Sequence, residues 1–163
     1  GCWSSCHDDA IGMASAPAGA EITKYLGASR AKMGRSGGGA AAKPDADIAA
    51  LLAQGTFLEY WQARLNPGKP AVPVNGWVLD QRHEQQPAAI GAEAEFANGE
   101  WSVVLSRALA ATGNGQKALV PGKTYTLGFA LHDDHANHRF HQVSFEYTLV
   151  LDQGTADFVA AKR

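Results

Sequence analysis

Apolar residues at every second position dominate the end of the chain. In residues 124–131 the side chains of Tyr125, Leu127, Phe129 and Leu131 share one parity, and in 143–151 Val143, Phe145, Tyr147, Leu149 and Leu151 do the same. Residues two apart share a face of a strand, so each stretch predicts a strand with one apolar face. The two predict an antiparallel hairpin closed by a polar, histidine-rich loop. Upstream, 92–96 and 101–107 flank Asn98-Gly99, a pair that accepts positive φ at both central positions and so predicts a type I′ hairpin. In its second strand Trp101, Val103 and Leu105 alternate with Ser102, Val104 and Ser106. After a Gly/Asn loop over 112–115, Val120-Pro121-Gly122-Lys123 predicts a further turn.

The first half is less regular. Small residues over 14–20, with Pro17 and Gly19, argue against a persistent element. Ile22-Thr23-Lys24-Tyr25-Leu26 suits a short helical or extended piece, and 36–44 reads as a flexible surface loop. Asp45 or Asp47 is placed to cap a helix over 48–54, with Ile48, Leu51 and Leu52 on one face and Gly55 at its end. Over 56–65 the spacing of Leu58, Trp61 and Leu65 is nearly helical, yet Phe57, Tyr60 and Trp61 are strand formers, and a strand is expected. Residues 72–80 form an extended segment around Asn75-Gly76, followed by a polar loop over 81–87. The expected fold is mainly β, an antiparallel β-sandwich with short helices and long loops, in a single domain over 1–163.

Composition narrows the function. A hydrophobic fraction of 45% is ordinary for a soluble protein. A net charge of −2 supplies no basic field for nucleic acid or anionic membrane. There is no apolar run of about 18 residues, so no transmembrane segment is expected in this chain. The sequence starts without an initiator Met or a signal peptide, and is read as a processed product or an excised segment.

Candidate chemistry begins at the first residues. Gly1-Cys2-Trp3-Ser4-Ser5-Cys6-His7 is read as Cys-x-x-Cys-His, the attachment signature of a c-type haem, two cysteines with a histidine directly after the second. The thiols of Cys2 and Cys6 can form thioethers to the two porphyrin vinyl groups, and the His7 imidazole can bind the iron. The expected cofactor is therefore one covalent haem c. The competing readings are a redox cysteine pair, for which no βαβ pattern is present, and half of a zinc site, which lacks a second ligand cluster. Thioether attachment takes place outside the bacterial cytoplasm, so the expected location is the periplasm.

The sixth iron ligand is sought among the remaining histidines and methionines. His132, His135, His138 and His141 crowd the loop of the last predicted hairpin, and for any one of them a solvated loop position is the bland alternative. Parity separates them: His141 falls with Val143 through Leu151, whereas His132 falls opposite to Tyr125 through Leu131. His141 is the expected ligand, with Met13 and Met33 as alternatives that would raise the potential. No enzyme constellation is found: His83-Glu84 and Asp133-Asp134 read as exposed polar residues, and Gly37-Gly38-Gly39 follows no strand.

Cys6-His7-Asp8-Asp9 with Met13, then Thr23-Lys24-Tyr25-Leu26, resembles the c-haem variants of the ethylbenzene-dehydrogenase-type haem-binding domain family. Phe57-Leu58-Glu59-Tyr60-Trp61-Gln62-Ala63-Arg64 resembles that family's central strand. Gly122-Lys123-Thr124-Tyr125, Phe129-Ala130-Leu131-His132-Asp133 and His141-Gln142-Val143-Ser144-Phe145 are similar to its last hairpin. The resemblance implies a β-sandwich with haem held by loops at one end, and transfer of single electrons. Relatives with non-covalent haem b serve molybdenum dehydrogenases and use Met and Lys as axial ligands, the Lys falling at or near His141. Others are joined to membrane-embedded b-type cytochromes. The family's cysteine motif usually follows several strands, so upstream strands or a cytochrome b segment are expected outside these residues.

The expected function is a periplasmic c-type cytochrome domain with a six-coordinate haem. Its partners would be redox proteins, a membrane b-type cytochrome or a molybdenum oxidoreductase among them. The alternatives are a haem-based sensor or small-ligand-binding domain, and a haem-free interaction module.

Overall fold

The computed structural model describes residues 31, 33, 41–132, 141–144 and 146–161. Among these the protein is mainly β, with ten strands and one helix. The chain divides into two compact units, the boundary falling between Ala118 and Leu119.

In the first unit, α1 (Asp45–Ala53) follows Pro44 and has no side-chain cap. Asp45 and Asp47, expected to cap a helix starting later, instead lie inside its first turn, where their charge complements the helix dipole. Ile48, Leu51 and Leu52 are its half-buried residues, as the apolar stripe predicts. Gly55, at φ 77°, ends the helix with a paired set of bonds: Thr56 N–H donates to Leu51 O at 2.9 Å and Gly55 N–H to Leu52 O at 3.0 Å.

The strands β1 (Leu58–Arg64), β2 (Val72–Val78) and β3 (Arg82–Glu84) form an antiparallel sheet in that order. The strand expected over 56–65 is therefore present. β3 corrects the loop expected over 81–87. Its three residues are polar because it is a short edge strand, and such edges carry charge instead of an apolar alternation. Asn75-Gly76 sits within β2. A Cβ on Gly76 would press on the backbone of His83 and lie 2.8 Å from the Tyr60 hydroxyl, so glycine permits the close approach of β3. Asn75 is buried, but its Nδ2 donates to Gln85 Oε1 at 2.9 Å and its Oδ1 accepts from Ala89 N–H at 2.8 Å.

The hairpin of β4 (Gly91–Ala97) and β5 (Glu100–Ser106) lies against β1 and β2. It turns at Asn98 (φ 54°) and Gly99 (φ 83°) with Ala97 opposite Glu100, the two-residue turn anticipated.

The first unit is tied together by Glu59 and Arg107, whose side chains are 8% and 3% exposed. Arg107 Nη1 pairs with Glu59 Oε1, and Arg107 Nη2 donates to the carbonyl of Lys117. Trp61 Nε1 donates to Glu59 Oε1 at 2.7 Å, and Lys117 N–H donates to Glu59 Oε2 at 2.6 Å. Lys117 Nζ donates to Gly55 O at 2.7 Å and stands 4.0 Å from the centre of the Phe57 ring. One carboxylate thus joins β1, the end of β5 and the segment that leaves it.

The second unit holds β6 (Thr124–Leu127), β7 (Ala130–His132), β8 (His141–Val143), β9 (Tyr147–Leu151) and β10 (Phe158–Ala160). β6 pairs antiparallel with β9, and β7 with β8, so the expected partners do meet. The single strand expected over 124–131 is two strands, with Gly128 and Phe129 between them. Wholly antiparallel pairing also needs correction, because β10 runs parallel to β9. The connection over 152–157 reverses through Asp152 (φ 65°) and Gly154 (φ 134°). Asp157 clamps its end: its Oδ2 accepts from the N–H and from the hydroxyl of Thr148, each at 2.7 Å.

Two predictions follow from these contacts. The Thr148 N–H, then its hydroxyl, hold the Asp157 carboxyl below the ordinary carboxylate range. A depressed folded-state value stabilises above the unfolded value (about 3.9) and that contribution is lost as pH falls through the folded value. Asp157→Asn should lower the thermal midpoint at pH 7. It should make little difference at a pH low enough to protonate the wild-type carboxyl, and an equal deficit at both pH values would contradict the assignment. Arg107→Ala leaves Glu59 buried without its cation and should cost about 3–5 kcal/mol in urea denaturation. Glu59→Gln/Arg107→Met should cost clearly less, and a loss below about 1 kcal/mol in the single variant would contradict the role given to the pair.

Candidate functional site

Among the expected ligand residues, Cys2, Cys6, His7 and Met13 lie outside the described residues, as do His135 and His138. The same holds for Asp133, Asp134 and Gly37 to Gly39. Of the rest, the structure describes Met33, His132 and the backbone of His141. Met33 is 68% exposed, with its N–H donating to Ala41 O at 2.9 Å. His132 ends β7 and is exposed, and His141 opens β8.

The register between these strands changes the reasoning for His141. Leu127 stands opposite Tyr147, and Ala130 stands opposite Val143. Two residues, 128 and 129, separate these pairs on one side, against three, 144–146, on the other. The ladder thus carries one extra residue on the second strand, as in a β-bulge. Phe129 and Ser144 hold the junction: Ser144 N–H donates to Phe129 O, and Phe129 N–H to Ser144 Oγ, each at 2.9 Å. The odd-numbered alternation that runs from Leu151 to Tyr147 therefore does not continue unbroken to His141. The register pairs His132 with His141 and Leu131 with Gln142, so the parity that set the two histidines apart is lost.

Beside this ladder, Phe129 and Leu131 are 56% and 74% exposed. The rings of Phe129, Tyr147 and Phe158 cluster at centroid distances of 6.0, 6.3 and 5.3 Å. The exposed His132 thus stands beside uncovered apolar surface.

A second feature, in the first unit, went unanticipated. His83, expected in an exposed loop, is half-buried on β3, where it stacks on Trp77 at 4.7 Å with ring planes 9° apart. Its Nε2 lies 3.3 Å from Asp80 Oδ1. With α1 these residues line a shallow depression of about 270 Å³. The only sequence signal for it was the polar stretch 81–87, which resembles any surface loop. Among the described residues no group of three or more His, Cys, Asp or Glu is arranged to hold a metal ion. No helix among them is long and apolar enough to cross a membrane.

The cysteine motif itself requires one correction. Trp3, Ser4 and Ser5 stand between Cys2 and Cys6, three residues where Cys-x-x-Cys-His has two. The two thiols and the adjacent histidine are all present, on a bridge one residue longer.

Comparison with known proteins converges on the resemblance seen in the sequence. Over its whole length the chain is 34% identical, across 165 aligned positions, to a protein named Cytochrome c-552 from Stutzerimonas stutzeri. The match covers 47% of that protein, so the chain spans about half the length of this curated relative. No solved structure matches the chain. Residues 29–144 match the family model described as Ethylbenzene dehydrogenase, well over half of the sequence, and the chain belongs to that family.

Proposed function

We propose that this chain is a periplasmic electron carrier and not an enzyme, a single haem-binding domain over 1–163, a β-sandwich with one covalent haem c held by loops at one end. The observation that carries the reading is the arrangement of Cys2, Cys6 and His7 in a chain of this family. Cytochrome c-552 as the name of a relative supports it.

The donor set suits the group. Two thiols can hold the porphyrin edge as thioethers, and His7 offers an imidazole next to the second. Bound haem supplies a one-electron iron couple. His141 is the proposed sixth ligand, with Met13 and Met33 as the thioether alternatives. Support for His141 comes from the family resemblance and from its place at the start of β8 beside exposed Phe129 and Leu131. The protein's contribution is to keep the iron six-coordinate, to set its potential by ligand type and burial, and to exclude water from most of the porphyrin face. Redox proteins are the proposed partners, including a membrane b-type cytochrome or a molybdenum oxidoreductase.

Acid–acetone extraction of the Cys2→Ala/Cys6→Ala variant should release all haem, while the wild type retains it. Covalent haem in the double variant would contradict the attachment. Wild-type ferrous protein should bind carbon monoxide poorly; rapid, stoichiometric binding would favour a sensor or ligand-binding domain over an electron carrier.

A further inference from the structure

Three Asn-Gly steps occur in the chain: Asn75-Gly76, Asn98-Gly99 and Asn114-Gly115. Such a step is chemically labile, because glycine has no Cβ to shield its backbone nitrogen. That nitrogen attacks Cγ of the preceding asparagine, the Cγ–Nδ2 bond breaks, and ammonia leaves with the proton of the glycine N–H. A cyclic imide results. Water then opens the ring at Cγ, giving ordinary aspartate, or at the main-chain carbonyl carbon, giving isoaspartate. Nothing is oxidised or reduced, and water is the sole co-reactant. As dipeptides the three steps are equivalent.

The fold makes them unequal. Asn75 is 1% exposed, and its amide is committed at both atoms, Nδ2 to Gln85 and Oδ1 to the Ala89 N–H. Gly76 is paired inside the sheet, opposite Tyr60 on one side and Glu84 on the other. Neither group can turn toward the other without breaking β2. Asn114 is exposed, but Gly115 is buried, and a Cβ on it would overlap the Trp77 ring. Its backbone is packed on an indole that is itself stacked on His83, so the peptide cannot swing to bring its nitrogen to Cγ. Asn98 and Gly99 are both exposed, and a Cβ on Gly99 would meet nothing within 4 Å. Among the described residues no hydrogen bond holds the Asn98 side chain or the Gly99 N–H. A two-residue turn is tied to its ladder on one side only, so it opens at low cost.

We infer that Asn98 is a deamidation site, converting spontaneously to aspartate and isoaspartate in the folded protein while Asn75 and Asn114 are protected. The two products act differently on the hairpin. Asp-Gly suits a type I′ turn as Asn-Gly does, so aspartate keeps the fold and adds a negative charge near exposed Glu100. Isoaspartate routes the main chain through Cβ and Cγ, an extra backbone atom in the turn between Ala97 and Glu100. The bonds between these two residues then no longer close. The neighbouring Phe96–Trp101 ring pair, at 5.1 Å, loses its support. All of these residues lie in the first unit, and none takes part in the function proposed above.

Trypsin separates the three asparagines, placing Asn75 in 65–82, Asn98 in 83–107 and Asn114 in 108–117. Asn66 shares the first of these peptides but precedes Pro67, which has no N–H to attack it. The full-length protein is incubated in mildly alkaline buffer, folded or in urea, and the deamidated share of each peptide is followed by mass spectrometry. In the folded protein 83–107 should convert at least about tenfold faster than the other two, a barrier difference of roughly 1.4 kcal/mol. In urea the three rates should converge. Equal rates in the folded protein, or conversion of 83–107 in urea alone, would overturn the assignment. Asn98→Gln should abolish the conversion of 83–107, since its longer side chain would have to close a larger ring; persistent conversion would place the reaction elsewhere. Should that variant fail to fold, fragmentation of the wild-type peptide locates the changed residue directly. Isoaspartate-containing protein should also exchange the Ala97 and Glu100 amide hydrogens faster than fresh protein, and unchanged exchange would overturn the loss of the turn.

Discussion

One buried carboxylate holds the first unit in order. Glu59 projects from β1 with its side chain 8% exposed, and three donors replace water at its carboxylate: Arg107, Trp61 and the Lys117 backbone N–H, while the Lys117 ammonium is held by the carbonyl of Gly55. Burying a charge is tolerated only when it is paired and hydrogen-bonded, so each of these partners must be delivered to a defined position. The paired ending of α1 fixes Gly55, the register of the Asn98-Gly99 hairpin fixes the end of β5, and the segment beyond it must return to β1. The ion pair is a constraint on geometry more than a store of stability, since a well-packed apolar replacement of both partners can be as stable.

The second unit depends on a different constraint, the count of residues along its ladder. Three residues facing two between β6–β9 and β7–β8 shift the register by one, and a one-residue shift in a period-two structure exchanges faces. Ser144 stabilises the shift by bonding to both backbone groups of Phe129. At the far end of the ladder the shift sets His132 and His141 at one register position.

Much of the fold was legible in the chain because local signals and tertiary packing agreed. The Asn98-Gly99 turn, the helix ended by Gly55 and the pairing of 124–131 with 143–151 follow from backbone preferences and apolar alternation. β3 was not legible, since an edge strand of Arg82, His83 and Glu84 has the composition of a loop. Nor was the parallel pairing of β10, which depends on the Thr148–Asp157 clamp and the turn at Asp152 and Gly154. The ladder irregularity was hidden for a related reason: the odd-numbered apolar pattern runs on through Phe145 and Val143 in the sequence, and only the pairing reveals the additional residue. Glu59 and Arg107 are 48 positions apart and carry no mutual signal in a single sequence.

The cysteines and His7 stand on the sequence, and the family membership sets them in a lineage with a cytochrome relative. The three-residue bridge between Cys2 and Cys6 makes attachment through both thiols the point on which the account turns. Tryptic digestion followed by mass spectrometry addresses it directly, because the peptide ending at Lys24 contains both cysteines and no other cysteine exists in the chain. The account predicts that this peptide carries the mass of one haem, with neither Cys2 nor Cys6 open to alkylation. An unmodified peptide with both thiols alkylated, from protein matured in a cytochrome c-producing periplasm, would contradict it.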